Sequence, residues 1–272
     1  MLSRKLEDIR TLLASCQSCL VAYSGGVDSA LLAYLANDVL GDRAIAVIAD
    51  TPSLPRRELK EAIDLAERFH LTLEVVCPQE FENEEYLSNP VNRCFFCKHE
   101  LFAIMEPLAE ARGVNVLLYG ENASDLGDHR PGAKAAAAFQ VRAPFKEVGL
   151  TKAEIRELSA QFGLPTAEKP QMACLSSRIP YGQRVNPEKL RMIEEAENWL
   201  RDLGFRDVRV RHHEDDIARV EVAPDDVSRL QALEFEGVLR SRLQGIGYSK
   251  VEVDPQGYRR GSLNESLAKE SG

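Results

Sequence analysis

The strongest chemical signal in this 272-residue chain is a short glycine loop, Ser24-Gly25-Gly26-Val27-Asp28-Ser29. An apolar run at 20–23 precedes it and a helical pattern at 29–37 follows. In that setting the glycines let the backbone close on an anion, and the helix start offers unpaired N–H groups and a positive dipole. Ser24 and Ser29 add hydroxyl donors. Asp28 would repel a phosphate unless a cation stands between them, so its place in the loop implies Mg²⁺. The lysine of the GxxxxGK[ST] pattern is missing. A loop of this make-up suits the holding of a leaving pyrophosphate better than the transfer of a γ-phosphoryl group.

Sulfur is the second signal. Cys94-Phe95-Phe96-Cys97-Lys98 is a CxxC ahead of a helical pattern. A pair of this kind suits zinc, iron–sulfur or redox chemistry. Cys16-Gln17-Ser18-Cys19 repeats the spacing, but Cys19 opens an apolar strand, which argues against a four-cysteine zinc site. Cys16, Cys19 and Cys77 are expected as core or surface residues. Cys174 stands in the unpatterned segment Lys169-Pro170-Gln171-Met172-Ala173-Cys174-Leu175-Ser176-Ser177-Arg178-Ile179-Pro180-Tyr181-Gly182. By spacing alone, a single loop cysteine is more often incidental. Arg178 brings a cation to the same loop.

Further on, strand alternation puts Arg209, Arg211 and His213 on one face, with Val208, Val210 and His212 on the other. Guanidinium groups so placed suit phosphate recognition, or form a solvated basic face paired to nearby acids. Those acids (Glu194, Glu197, Asp215, Asp216, Glu221, Asp225 and Asp226) receive no role from the sequence.

The elements that must position these groups follow from periodicity. Strands are expected at 20–23, 44–48, 71–76 and 114–119, with helices between them, as in a doubly wound parallel sheet. Thr151-Lys152-Ala153-Glu154 reads as a capping box that starts a helix ending near Gly163. The stretch from Pro165 to Pro187 holds four prolines and reads as a linker or active-site loop. Beyond it a helix at about 187–203, strands at 208–212 and 217–222, a helix at 225–243 and a last strand at 248–253 suit a small α+β domain. The polar end of the chain reads as a frayed tail.

Composition sets the outer bounds. Apolar residues make up 44%, enough for a real core. The net charge of −9 argues against a protein that grips nucleic acid. No apolar run is long enough to span a bilayer. The charged start (Arg4, Lys5, Glu7, Asp8) lacks the apolar centre of a signal peptide, so a cytoplasmic chain is expected. Its six cysteines are then expected as thiols or ligands, not as structural disulfides.

SGGVDS after the first strand resembles the PP-loop ATP pyrophosphatases. That resemblance implies cleavage of ATP to AMP and pyrophosphate while an acceptor is adenylated. Ala49 and Asp50, at the end of the second strand, would then approach the adenosine, and Gly120 and Asn122 would line the same crevice. The rule that open sheets bind ligands outside their strand ends agrees. Together with the cysteine loop and the run Gly120-Glu121-Asn122-Ala123-Ser124-Asp125-Leu126-Gly127-Asp128-His129-Arg130-Pro131-Gly132, the loop looks like the LarE family over about residues 5–255. These are ATP-dependent sulfur transferases of nickel-pincer nucleotide biosynthesis, which serves lactate racemase. Their substrate is a pyridinium-biscarboxylate mononucleotide, and a ring carboxylate becomes a thiocarboxylate.

Several roles follow from the resemblance. Cys174 matches the sulfur-bearing cysteine, which in sacrificial members loses its sulfur and becomes dehydroalanine. This chain also keeps Cys94 and Cys97, as in members whose three cysteines hold a [4Fe–4S] cluster; a persulfide relay is the third route. Arg209 and Arg211 match the arginines that hold the substrate phosphate. Ser177 and Arg178 would shape the thiol site, and Lys98 would steady the adenylate. Residues 1–180 would form the adenylating domain, 185–258 a substrate and homo-oligomerisation domain, and 259–272 a flexible tail. The competing readings are another PP-loop reaction, tRNA thiolation or ammonia-dependent amidation, and a zinc-stapled nucleotide-binding module without catalysis.

Overall fold

A computed structural model describes residues 2–125, 131–170 and 173–259. Residues 126–130 of the 120–132 run, Gln171 and Met172 of the cysteine loop, and all but the first residue of the expected tail lie outside the described residues. The chain divides into two units, 2–86 with 92–170 and 87–91 with 173–259.

In the first unit, α1 (Leu2–Cys16), β1 (Cys19–Ala22), α2 (Val27–Leu40), β2 (Ala44–Ala49), α3 (Arg56–Arg68) and β3 (Thr72–Val76) follow in order. After the short α4 (Glu84–Leu87) come α5 (Arg93–Arg112), β4 (Val116–Tyr119), α6 (Pro131–Ala138), α7 (Pro144–Glu147) and α8 (Lys152–Gln161). The sheet has the order β3-β2-β1-β4, and its three pairings are all parallel. This is the doubly wound sheet that the periodicity predicts.

The two central strands are apolar at nearly every position because both of their faces are covered. Cys19, Val21, Ala46 and Ile48 face a core with Leu31 and Leu35 of α2 and Ile155 of α8. Leu20, Ile45 and Val47 face Phe102 and Met105 of α5. Cys19 is thus a core residue, and burial pushes its thiol up to about 12. The fourth strand starts at Val116 instead of 114, because the Val114 amide is spent closing α5 on the Ala109 carbonyl, with Gly113 left-handed (φ 64°).

In the second unit, α9 (Pro187–Asp202) precedes β5 (Arg209–His213) and β6 (Ile217–Glu221), then α10 (Val227–Phe235), α11 (Val238–Ile246) and β7 (Lys250–Val253). The single helix expected at 225–243 is two, because Gly237 turns left-handed (φ 76°) between them. β5 and β6 pair antiparallel, β6 and β7 parallel. Val208, Val210, Val220 and Val251 face the helices. Residues 87–91 belong here because Asn89 is buried and its side chain donates to the carbonyls of Ile179 (3.2 Å) and Pro180 (2.8 Å). Gly182 donates back to the Asn89 carbonyl at 2.9 Å.

Candidate functional site

The glycine loop lies between β1 and α2, at the carboxyl ends of the parallel strands. Gly25 has φ +69°, and a Cβ there would lie 2.7 Å from the Ala62 Cβ, so only glycine fits. Ser24 and Ser29 lace the loop together, with hydroxyls 3.1 Å apart and the Ser24 amide donating to Ser29 Oγ at 3.1 Å. The first helical bond runs from Ala30 N–H to the Gly26 carbonyl (2.9 Å). The amides of Val27, Asp28 and Ser29 therefore have no intrahelical partner, and Gly26 brings no side chain to cap them. That is a ready anion cradle. Gly120, after β4, backs against it: a Cβ there would sit 3.0 Å from the Ser29 amide nitrogen.

Asp28 is held on both oxygens. Asn122 Nδ2 donates to Oδ1 at 3.0 Å, and Lys152 Nζ pairs with Oδ2. Asn122 is buried and fixed in turn, its Oδ1 accepting from the Ser124 amide at 2.9 Å. Lys152 stands in the first turn of α8, where the Thr151–Glu154 capping box sets its direction. Beside the loop lies a cavity lined by Ser24, Asp28, Lys98, Tyr119 and Glu121, among others. Glu121 accepts from the Tyr119 hydroxyl and pairs with Lys146 at 3.2 Å. Lys98 lays its stem along Gly132, and its Nζ is 5.0 Å from the centre of the Tyr119 ring. A carboxylate beside a backbone cradle is a donor set that fits Mg²⁺ and a polyphosphate.

Ala49 and Asp50 lie at the end of β2, both half-buried. The Asp50 carboxylate pairs with Arg56, which also donates to the Thr51 carbonyl (2.5 Å) and the Leu54 carbonyl (2.8 Å). Close by, Glu80 is buried at 1% exposure among Thr51, Ser53 and Arg93. Burial pushes its carboxyl up, against the pull of hydrogen bonds from Cys97, Thr51 and Ser53 and of the Arg93 charge. Cys94 and Cys97 are in the first two turns of α5, Cys94 exposed and Cys97 half-buried.

Cys174, half-buried, belongs to the second unit and caps a tight turn, Leu175–Arg178. Ser177 Oγ donates to the Cys174 carbonyl at 2.7 Å. Arg178 is fully buried; its Nη1 donates to the carbonyls of Ala173 (2.6 Å) and Cys174 (3.0 Å). Its other face grips Glu197, Nε to Oε1 at 2.8 Å and Nη2 to Oε2 at 3.1 Å. The guanidinium thus fixes the backbone of the cysteine turn. Burial alone would raise Glu197, but Arg178, Arg201 and Arg209 bring it below the usual carboxylate range.

Arg209 and Arg211 are both nearly buried. Arg211 pairs with Glu221 at 3.0 Å and donates to the Ser177 carbonyl at 2.9 Å. Arg209 lies over the Tyr258 ring at 4.8 Å, and burial together with the Arg178 charge lowers its pKa. Among the described residues, no three His, Cys, Asp or Glu side chains form a metal-binding group. Lys152, Glu80 and the role of Glu197 emerge only with the structure. Only Lys152 left a signal, one residue inside a recognised helix cap.

A family model described as NAD synthase matches residues 5–83. An uncharacterized protein of Synechocystis is 42% identical over 269 residues, 99% of this chain and 100% of that protein. A pyridinium-3,5-bisthiocarboxylic acid mononucleotide synthase of Lactiplantibacillus plantarum is 31% identical over 98% of this chain and 96% of its own length. A glutamine-hydrolyzing GMP synthase chain of Archaeoglobus fulgidus is 26% identical over 65% of this chain and 62% of its own.

Proposed function

We propose a detailed chemistry for this chain from one premise: it belongs to the LarE family, with the pyridinium-3,5-bisthiocarboxylic acid mononucleotide synthase of L. plantarum as a relative along nearly its whole length. It is an ATP-dependent sulfur transferase. Likeness to the GMP synthase chain covers 65% of this protein and likeness to the thiocarboxylate synthase 98%, which favours sulfur over ammonia as the incoming group. The observation that carries the reading is the bare amide cradle of Val27, Asp28 and Ser29 with the Asp28 carboxylate beside it.

A carboxylate is a poor electrophile. Its oxygen attacks the α-phosphorus of ATP, and the α–β bridging bond breaks. The loop amides and the Ser24 and Ser29 hydroxyls take up charge on the leaving pyrophosphate. Asp28 would hold Mg²⁺, which supplies positive charge to the same phosphates. Ala49 and Asp50 line the adenosine side, Gly120 and Asn122 the facing wall, and Lys98 steadies the acyl adenylate. The substrate phosphate goes to Arg209 and Arg211. Sulfur then attacks the activated carbonyl and AMP leaves.

Cys174 is the sulfur donor in this reading. As a sacrificial donor its thiolate forms a thioester, the Cα proton is removed, the Cβ–S bond breaks, and a thiocarboxylate departs from dehydroalanine. Cys94, Cys97 and Cys174 would alternatively be the residues that hold a [4Fe–4S] cluster, which would supply sulfide for the transfer. Ser177 and Arg178 hold the Cys174 turn. We take the enzyme as cytoplasmic and homo-oligomeric, with adenylation in the first unit. Among the described residues, no helix is long and apolar enough to cross a membrane.

Purification without oxygen, with iron, acid-labile sulfide and zinc measured together, separates the donors. About four irons per chain, lost when any of the three cysteines is changed, would identify a cluster. Absence of metal, with loss of H₂S from the protein mass after turnover, would identify a sacrificial Cys174. Zinc without sulfide would oppose the three-cysteine site.

A further inference from the structure

The two thiols of the CxxC pair differ in exposure, Cys94 exposed and Cys97 half-buried, and the Cys97 side chain is a hydrogen-bond partner of Glu80. This carboxylate is 1% exposed, at the base of a polar socket that neither the glycine loop nor the arginine cluster uses. Thr51 and Ser53, both buried, reach it from the loop after β2. Ser53 is itself fixed by a hydrogen bond with the buried hydroxyl of Tyr86. Arg93, 4% exposed, supplies the compensating charge. The remaining partner is the Cys97 side chain. Glu80 Oε1 is buried and makes no hydrogen bond among the described residues. A buried carboxylate oxygen left unpaired is costly, so a site that keeps one calls for an explanation.

Cys94, three residues earlier, is exposed, whereas Cys97 is half-buried. We propose that Glu80 is a positioning residue for Cys97: its carboxylate accepts the thiol hydrogen bond and fixes the sulfur's orientation, leaving Cys94 as the CxxC sulfur that meets solvent and incoming reagents. The pair is then divided into an outer thiol that reacts first and an inner thiol held in place. This deepens the sulfur-transfer reading and rests on it for its purpose, but the asymmetry itself is testable without turnover.

The test is competitive alkylation of the reduced full-length protein with iodoacetamide, the rate at each cysteine being read by peptide mass mapping. Cys94 should label at least ten times faster than Cys97. Glu80→Asp withdraws the carboxylate by one methylene and should speed Cys97 labelling several-fold. Glu80→Leu should do so more strongly, and Glu80→Gln, which keeps an acceptor oxygen, should restore the slow wild-type rate. Cys94 should label at the same rate in all four proteins. A merely structural Glu80 would move both cysteines together or neither, and Cys97 labelling unchanged in Glu80→Asp would overturn the proposal. The Asp and Gln variants keep the test decisive if the Leu variant does not fold. Labelling that follows this pattern in a protein that makes no thiocarboxylate would count against the sulfur-transfer reading and leave the role of Glu80 standing.

Discussion

Lys152 and Asp28 lie 124 residues apart in the sequence and form one ion pair at the start of α2, with Asn122 on the other carboxylate oxygen at 3.0 Å. The ammonium therefore stands where a metal bound to Asp28 must compete with it. Replacing Lys152 with Met should tighten Mg²⁺ binding in the absence of ATP while lowering kcat/KM for ATP by roughly 10–100-fold, the worth of the one charge-assisted hydrogen bond that holds Asp28 in place. Titration of metal binding and pyrophosphate release would check the two opposite effects. A variant that loses metal affinity along with turnover would contradict this assignment.

Gly25→Ala should cost both stability and activity. The position needs φ +69°, and the new Cβ would lie 2.7 Å from Ala62, a neighbour on α3 that cannot swing away. A left-handed non-glycine residue costs about 1–2 kcal/mol before any clash. Thermal unfolding should fall by several degrees, and AMP formation by roughly 100-fold as the amide cradle is misplaced.

The buried Arg178–Glu197 pair should be among the costlier side-chain contacts to break in the second unit. Both side chains are fully buried, and Arg178 also holds the Ala173 and Cys174 carbonyls. Arg178→Met leaves Glu197 with less compensation and should destabilise by about 3–5 kcal/mol, read from denaturant midpoints. Arg178→Lys should not rescue it, since one ammonium cannot serve the carboxylate and the turn at once. Glu197→Gln placed on Arg178→Met should recover part of the loss.

How much of this was legible beforehand depends on where the signal lives. The parallel sheet and the glycine loop could be read because local periodicity and backbone chemistry are written in adjacent residues. Cys19 could be assigned to the core for the same reason. The break at Gly237 was missed because one glycine in a helical pattern is compatible with continuation. Lys152, Glu80 and Glu197 were missed as site residues because their partners are distant in sequence: Asp28 for the first, Cys97 for the second, Arg178 for the third. The arginines were found by strand alternation, but their pairing with Glu221 and Tyr258 needed coordinates.

His212 gives the second unit a pH dependence of definite sign. It is fully buried against Tyr248, and burial lowers its pKa below 6.5 despite Asp216 at 3.2 Å. A base whose folded pKa is depressed takes up its proton more readily when unfolded. Its neutral form is therefore stable above pH 6.5, and stability falls as the pH drops below that value. The protection factors of the β5 and β6 amides, with the intrinsic exchange rate at each pH divided out, should fall between pH 7.5 and 5.5, and His212→Leu should reduce that slope.

Sulfur transfer itself is tested most directly in one reaction: anaerobic protein, ATP, Mg²⁺ and the pyridinium-biscarboxylate mononucleotide, with AMP, pyrophosphate and the product's mass measured together. The account predicts one AMP and one pyrophosphate for each oxygen replaced by sulfur, and in Cys174→Ser, AMP formation without sulfur in the product. Sulfur transfer that survives loss of Cys174, or AMP formed by the unaltered protein with no sulfur in the product, would contradict it.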